Sequence, residues 1–382
     1  MLSYASLITE LFVSLAMSLL TCTIKHDGVV HNPLGAGSYI FKKNFVSHFL
    51  EYCDKKTLIF QIGAQPNSSP HIGTIITFAT AFAIAHRVKD REVLISLDIV
   101  DTAPSEQIKI NGITYQKSQR HTGEMENYMD DYNVIMASLQ KYWGVKYRIR
   151  KQIEFLDDPK VALAIKKILD NREELERSLS PEHGRLAIRS TCTATDCGLA
   201  DKHGIQNVYE NMRITFFCPH HGQYTVNIGD SKEITRLEFN TPLRNLLRAM
   251  VFASDEESNW IRVTGADYAG YYQEQLLWRH MAGDEPPIII YAPLILDWSG
   301  VKLSKSLYVR EGGYNYLRSQ GLGYCCSFKT FQEERKDLDV MLTEIDGWVE
   351  QPSKLFRSYS LEYIHSLFEG AAKRDGDRGA EA

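Results

Sequence analysis

From residue 57 onward, short apolar runs take turns with longer segments of helical period. The apolar runs are "TLIFQIG" (57–63), "EVLISLDIV" (92–100), "YRIRKQI" (147–153), "WIRVTGADYA" (260–269) and "PPIIIYAPLIL" (286–296). Between them lie a helical run over 71–88, the segment "TGEMENYMDDYNVIMASLQKYWG" (122–144) and the segment "VALAIKKILDNREELERSL" (161–179). Strands that alternate with helices predict an α/β chain with a parallel sheet and crossover helices. Residues 190–228 break the pattern, with cysteines, histidines and the strand-like "ITFF". The sheet is therefore expected to be split by an insertion.

This pattern divides the chain into an N-terminal helical extension (1–40), a first half of the α/β core (41–150), an insertion that carries the cysteines and histidines (151–232), a second half of the core (233–310), a small helical C-terminal region (311–370) and a disordered tail (371–382). The tail "AAKRDGDRGAEA" earns that label by charge and glycine content. The opening run "LFVSLAMSLLTC" (11–22) is apolar, but only about half a membrane span. It reads as a helix packed on the body, and no integral membrane span is expected.

Charge narrows the partners. A formal net charge of −5 means that a nucleic-acid partner needs a local basic patch. Arg185, Arg189, Arg236, Arg244, Arg248 and the segment "RIRK" (148–151) are the candidates. The 7 cysteines are an odd, uneven set and not a secreted disulfide framework. A reducing, cytoplasmic setting follows.

The chemistry gathers at strand ends, where open α/β sheets bind ligands. After the first strand comes "QPNSSPHIGT" (65–74). Turn chemistry explains Pro66, Asn67 and Pro70. It does not explain His71-Ile72-Gly73-Thr74 in the first turn of a helix, where free N–H groups and the helix dipole suit phosphate. Far along the chain, Lys302-Leu303-Ser304-Lys305-Ser306 follows a strand and a Trp-Ser-Gly turn. Two ammonium groups and two hydroxyls on a loop suit a triphosphate losing pyrophosphate.

Cys192-x4-Cys197 and Cys218-x2-His221 form two knuckles, and three thiolates with an imidazole suit a closed tetrahedral zinc. His220 is an alternative ligand to His221. Asp98 and Asp101 close the second strand, and Asp267 and Glu274 follow a later one. Several carboxylates on one pocket suit a cationic amino-acid side chain, a guanidinium best. Tyr268, Tyr271 and Tyr272 stand ready to stack on a cation or on adenine.

The two distant motifs, in this order, resemble the "HIGH" and "KMSKS" signatures of class I aminoacyl-tRNA synthetases. Thr74 departs from the final His of the first. The segments "SLDIVDTAP", "DNREELERSL" and "RVTGADYAGYY" look like the class I lysyl subgroup, over roughly residues 55–310. The resemblance implies a Rossmann-like sheet of the class I type, split by a zinc-ribbon-like insertion and followed by a short helical region. It implies catalytic roles for His71, Lys302 and Lys305. It implies contacts to the nucleotide or the tRNA acceptor end for Pro66, Asn67, Ser69, Gly73, Thr74, Gly265, Asp267, Ser304 and Ser306. Asp98, Asp101, Tyr268 and Glu274 are the expected amino-acid contacts. Structural zinc and ATP with Mg2+ are the implied cofactors, and tRNA and amino acids the partners.

Little chain follows the second motif, where a synthetase usually carries its anticodon reader. That shortness also resembles the fungal arginine-containing cyclodipeptide synthases, which use aminoacyl-tRNA, arginyl-tRNA among them, to build a diketopiperazine in secondary metabolism. Their Asp-Asp-x-x-Glu motif has no literal copy here, the nearest stretch being Asp170-Asn171-Arg172-Glu173-Glu174. An arginine-containing cyclodipeptide synthase is thus the expected activity. An ATP-dependent synthetase of lysyl or arginyl type is the alternative, and a non-catalytic tRNA-binding relative is the third.

Overall fold

The computed structural model describes residues 44–269, 287–304 and 312–380, with side chains to Ala371. The N-terminal extension to residue 43 lies outside them, as do Tyr271, Tyr272, Glu274, Lys305 and Ser306.

Five parallel strands form the central sheet: β1 (Thr57–Ala64), β2 (Glu92–Ile99), β3 (Tyr147–Lys151), β4 (Ser258–Gly265) and β5 (Ile288–Ala292). Their spatial order is β5-β4-β1-β2-β3. The first strand sits centrally and the chain winds outward in both directions, which is the Rossmann arrangement with its switch point between β1 and β4. Thr57 at the start of β1 lies opposite both Glu92 and Ser258, so the three central strands end together.

Both faces of the sheet are covered, as apolar parallel strands require. Leu58, Phe60, Ile62, Ile261, Val263 and Ile290 face one core, and their neighbours Ile59, Trp260, Ile289 and Tyr291 face the other. The first core is filled by helix α1 (Ile72–His86) and α2 (Glu126–Trp143). Nearly every side chain of α1 is buried, which its run "IITFATAFAIA" makes possible. The second core takes the apolar face of α3 (Thr241–Ala253) and the insertion.

The C-terminal region belongs to the first core. Leu342, Ile345 and Trp348 of helix α4 (Leu338–Glu350) are fully buried there, and Arg87 after α1 reaches Asp346 at 2.8 Å. The last helix, α5, runs Leu361–Ala380. The backbone of residues 371–380, expected to be disordered, therefore continues the helix. Alanine, lysine and arginine propagate a helix well once it is anchored, and Leu361, Ile364 and Phe368 anchor it in the core.

The insertion differs from the expected outline in two ways. It extends past residue 232, because Leu237–Phe239 pairs antiparallel with Ile188–Ser190. It also meets an antiparallel hairpin from the first half, Pro104–Ile110 with Ile113–Ser118. Tyr115 and Gln116 of that hairpin pair with Ala200 and Asp201. Asn111 and Gly112 turn the hairpin at φ 50° and 82°, the left-handed pair that a tight two-residue turn needs. Among the described residues, no helix is long and apolar enough to cross a membrane.

Candidate active site

A cavity of about 680 Å³ opens at the carboxyl ends of β1 and β4, at the switch point. It is lined from both distant motifs, by His71, Gly73 and Thr74 and by Lys302, Leu303 and Ser304. Their physical link is short. A Cβ on Gly73 would lie 3.9 Å from Ile295, whose carbonyl accepts from Leu303 N at 2.8 Å.

His71 is the N-cap of α1, and its Nδ1 accepts from Gly73 N at 3.1 Å. In the neutral ring this puts the proton on Nε2, making that edge a donor. A Cβ at Gly73 would come within 3.0 Å of the imidazole, so glycine is what allows the ring to fold over the helix end. The amides of Thr74 and Ile75 turn back to His71 O at 2.9 and 3.3 Å. The expectation of several free helix amides for phosphate is corrected accordingly. The first turn contributes its dipole and one imidazole donor, while its amides hold the His71 cap.

The second motif is seated by the turn "DWSG" (297–300). Asp297 Oδ1 accepts from Ser299 N and Val301 N at 2.9 and 3.1 Å, and Gly300 takes φ 78°. The returning strand then places Lys302 Nζ on Asp267 Oδ2. Asp267 follows Gly265, where a Cβ would approach its carboxylate to 2.5 Å. Glycine at the end of β4 thus lets Asp267 lean over the cavity. Asn67 and Tyr268 also line it.

Other expected site residues have structural roles. Ser69 Oγ accepts from Lys329 N at 3.1 Å, and the neighbouring Pro70 carbonyl accepts from Phe328 N at 2.7 Å. Ser69 therefore pins the C-terminal region, and Pro66 is buried beside it in sequence. Neither lines the cavity.

The two strand-end acids face the protein's own cations. Asp98 is fully buried, and Arg150 grips it through Nε and Nη2 at 2.9 and 3.0 Å. Arg248 Nε approaches the same carboxylate at 3.8 Å. Asp101 is buried against Arg120 at 2.9 Å. The pocket for a cationic side chain expected from these acids is not formed by them. Asp98→Asn is expected to cost about 3 kcal/mol of stability by leaving buried Arg248 and half-buried Arg150 short of charge, with substrate preference unchanged. Denaturant unfolding beside a substrate screen checks both halves.

The expected RNA-facing arginines divide similarly. Arg189, Arg244 and Arg248 are buried. Arg189 sits 3.5 Å from Glu238, Arg150 is spent on Asp98, and Lys151 on Glu126 at 2.9 Å. Arg185 remains exposed. Arg244 and Arg248 instead line the cavity, joined by Arg262, which sequence reasoning passed over.

In the insertion, Cys192, Cys197, Cys218 and His221 present four ligand atoms within 4.8 Å of one another. Cys197 Sγ lies 3.6 Å from Cys218 Sγ, and His221 Nδ1 lies 3.5 Å from both Cys192 Sγ and Cys218 Sγ. Ligands at zinc distances on a tetrahedron stand about 3.5–3.8 Å apart, so the set fits that ion with His221 as the fourth ligand. Burial pushes the Cys192 thiol up to about 11. Burial also raises Cys218, but the backbone N–H groups of His220 and His221 and the neighbouring Cys192 and Cys197 thiols together hold it below its usual range. That favours the thiolate a metal needs.

No protein-family model matches the chain, and no curated protein matches it. Among solved structures, it is similar to the glutamate-tRNA synthetase of Elizabethkingia anophelis, at 13% identity and a TM-score of 0.32, over 67% of this chain and 54% of that one. It is similar to a Campylobacter jejuni protein assigned as an arginyl-tRNA synthetase, at 8% identity and a TM-score of 0.29, over 64% of this chain and 56% of that one. It is also similar to a glutamate-tRNA ligase of Elizabethkingia meningosepticum, solved with its amino acid, at 14% identity and a TM-score of 0.29. That match covers 65% of this chain and 52% of the other. The chain spans about half the length of these proteins.

Proposed function

We propose that this chain activates an amino acid with ATP and transfers the acyl group to tRNA, as a class I-type aminoacyl-tRNA ligase. The observation that carries this reading is one cavity, at the sheet's switch point, shared by His71 and Lys302. A donor imidazole and an ammonium group lining one cavity suit the charge that develops on a triphosphate. The substrate carboxylate attacks the α-phosphorus, the bond to pyrophosphate breaks, and the acyl adenylate forms. The terminal ribose hydroxyl of tRNA then attacks the acyl carbon, and AMP leaves. Asp267, released from Lys302 as phosphate draws the lysine away, accepts from ribose hydroxyls. Lys305 and Ser306 complete the second motif. Cys192, Cys197, Cys218 and His221 would hold a zinc ion, which would pin the fold of the insertion.

Cyclodipeptide synthesis from charged tRNA needs the acyl-transfer half of this chemistry only. An ester that is already activated gives Lys302 and His71 no triphosphate to meet, and two of the acids expected to hold arginine, Asp98 and Asp101, are paired to Arg150 and Arg120. The ligase reading is therefore preferred. Pyrophosphate exchange with each amino acid, run beside charging of total tRNA, tests it. Amino-acid-dependent exchange supports the ligase. A cyclic dipeptide formed from charged tRNA without exchange overturns it in favour of the transferase.

A further inference from the structure

The part of the cavity wall that carries Lys302 is one leg of a small hairpin. Leu296 bridges to Lys302 in antiparallel fashion. Leu303 N donates to Ile295 O at 2.8 Å, and Asp297 N donates to Val301 O at 2.8 Å. Both legs line the cavity, through Leu294 and Ile295 on the outgoing chain and Lys302 and Leu303 on the returning one. The tip, residues 298–301, is exposed. The hairpin therefore leads from the cavity wall out to the surface.

Two large apolar side chains stand in solvent on that tip. Trp298 is 73% exposed and Val301 51%. The other described tryptophans, Trp143, Trp260 and Trp348, are 4%, 7% and 0% exposed, which is where so large an apolar ring is usually found. The exposed ring is also held in place. Asp297, next to it, is buried, and its Oδ1 accepts from Ser299 N, Ser299 Oγ and Val301 N. Gly300 N donates to Asp297 O at 2.9 Å. Tyr316 meets the indole in a T-shaped contact, with centroids 6.3 Å apart and planes at 86°. Trp298 is thus presented on a fixed turn, with most of its surface bare. An aromatic ring already ordered loses little freedom when a ligand stacks on it.

We infer that Trp298 is a stacking platform for an unpaired base of the tRNA acceptor strand, on the way from the surface into the cavity. The inference rests on the ligase reading and adds the contact that guides the RNA. In acyl transfer the terminal ribose has to reach the cavity, so the unpaired nucleotides before it cross the cavity's edge. Single-stranded bases stack on aromatic side chains largely without regard to sequence, because every base has a flat face.

Fluorescence anisotropy with two labelled RNA minihelices tests this on the full chain. One minihelix ends in an unpaired 3′ CCA, and the other is the same duplex ending blunt. The wild-type protein is expected to bind the first on the order of 10-fold more tightly, the scale of one base stacked on one ring. Trp298→Ala is expected to erase that preference, while the affinity for the blunt minihelix and the unfolding midpoint stay at wild-type values. Trp298→Phe keeps a stacking ring and should retain most of the preference. Equal wild-type binding of the two minihelices overturns the inference, and so does a preference that survives Trp298→Ala. A midpoint that falls with Trp298→Ala, with both minihelices weakened alike, also overturns it, because the ring then serves the packing of the turn. Pyrophosphate exchange on the same wild-type preparation keeps the two readings apart. Exchange without any minihelix preference sinks the platform and leaves the ligase standing. A preference that depends on Trp298, without exchange for any amino acid, supports the platform and overturns the ligase.

Discussion

His71→Ala is expected to lower pyrophosphate exchange by about 100- to 1,000-fold, the usual scale for one preorganised donor to a developing anion. The same change removes the N-cap of α1, since His71 Nδ1 accepts from Gly73 N, and such caps contribute about 1 kcal/mol. Stability should therefore fall slightly while activity collapses. His71→Asn separates the two effects. Asparagine caps helices well, so the unfolding midpoint should recover, and exchange should stay low because the amide does not reproduce the imidazole donor at the same reach. If His71→Asn and His71→Ala both keep wild-type rates, His71 is a cap and nothing more.

Disruption of the Cys3His cluster in the insertion is expected to give the second large effect. Cys218→Ser is expected to abolish bound zinc and to lower the stability of the insertion by several kcal/mol, since structural zinc binding is also folding free energy. The insertion shares a core with the sheet through Ile214, Phe216, Val226 and Leu237 beside Ile59 and Trp260. Its loosening should therefore lower the whole chain's unfolding midpoint as well. Elemental analysis of the purified protein, with thermal unfolding before and after chelation, checks this. A wild-type protein that holds no zinc and unfolds at the same temperature with or without chelator rules the metal out. His220→Ala should leave zinc in place, because His221 is the ring that stands 3.5 Å from two of the sulfurs.

Much of this site was legible in the chain. The apolar runs marked all five strands, and two far-apart motifs at strand ends pointed to one cleft, because a parallel sheet brings its carboxyl ends to one edge. The cysteine spacing marked the metal set. What the sequence hides is pairing. Asp98 looked like a substrate contact, and only the placement of β3 beside β2 puts Arg150 directly across from it. Arg244 and Arg248, expected to face RNA, are buried and line the cavity instead, because α3 turns them toward the sheet. The hairpin after β2 carries its own signal, Asn111-Gly112 between two extended runs.

The most direct test is a crystal structure with a non-hydrolysable aminoacyl adenylate. The account predicts the adenosine between the His71-to-Thr74 turn and the Lys302-to-Ser304 strand, with Asp267 on the ribose. An adenylate bound elsewhere, or one whose phosphate contacts neither His71 nor Lys302, contradicts it.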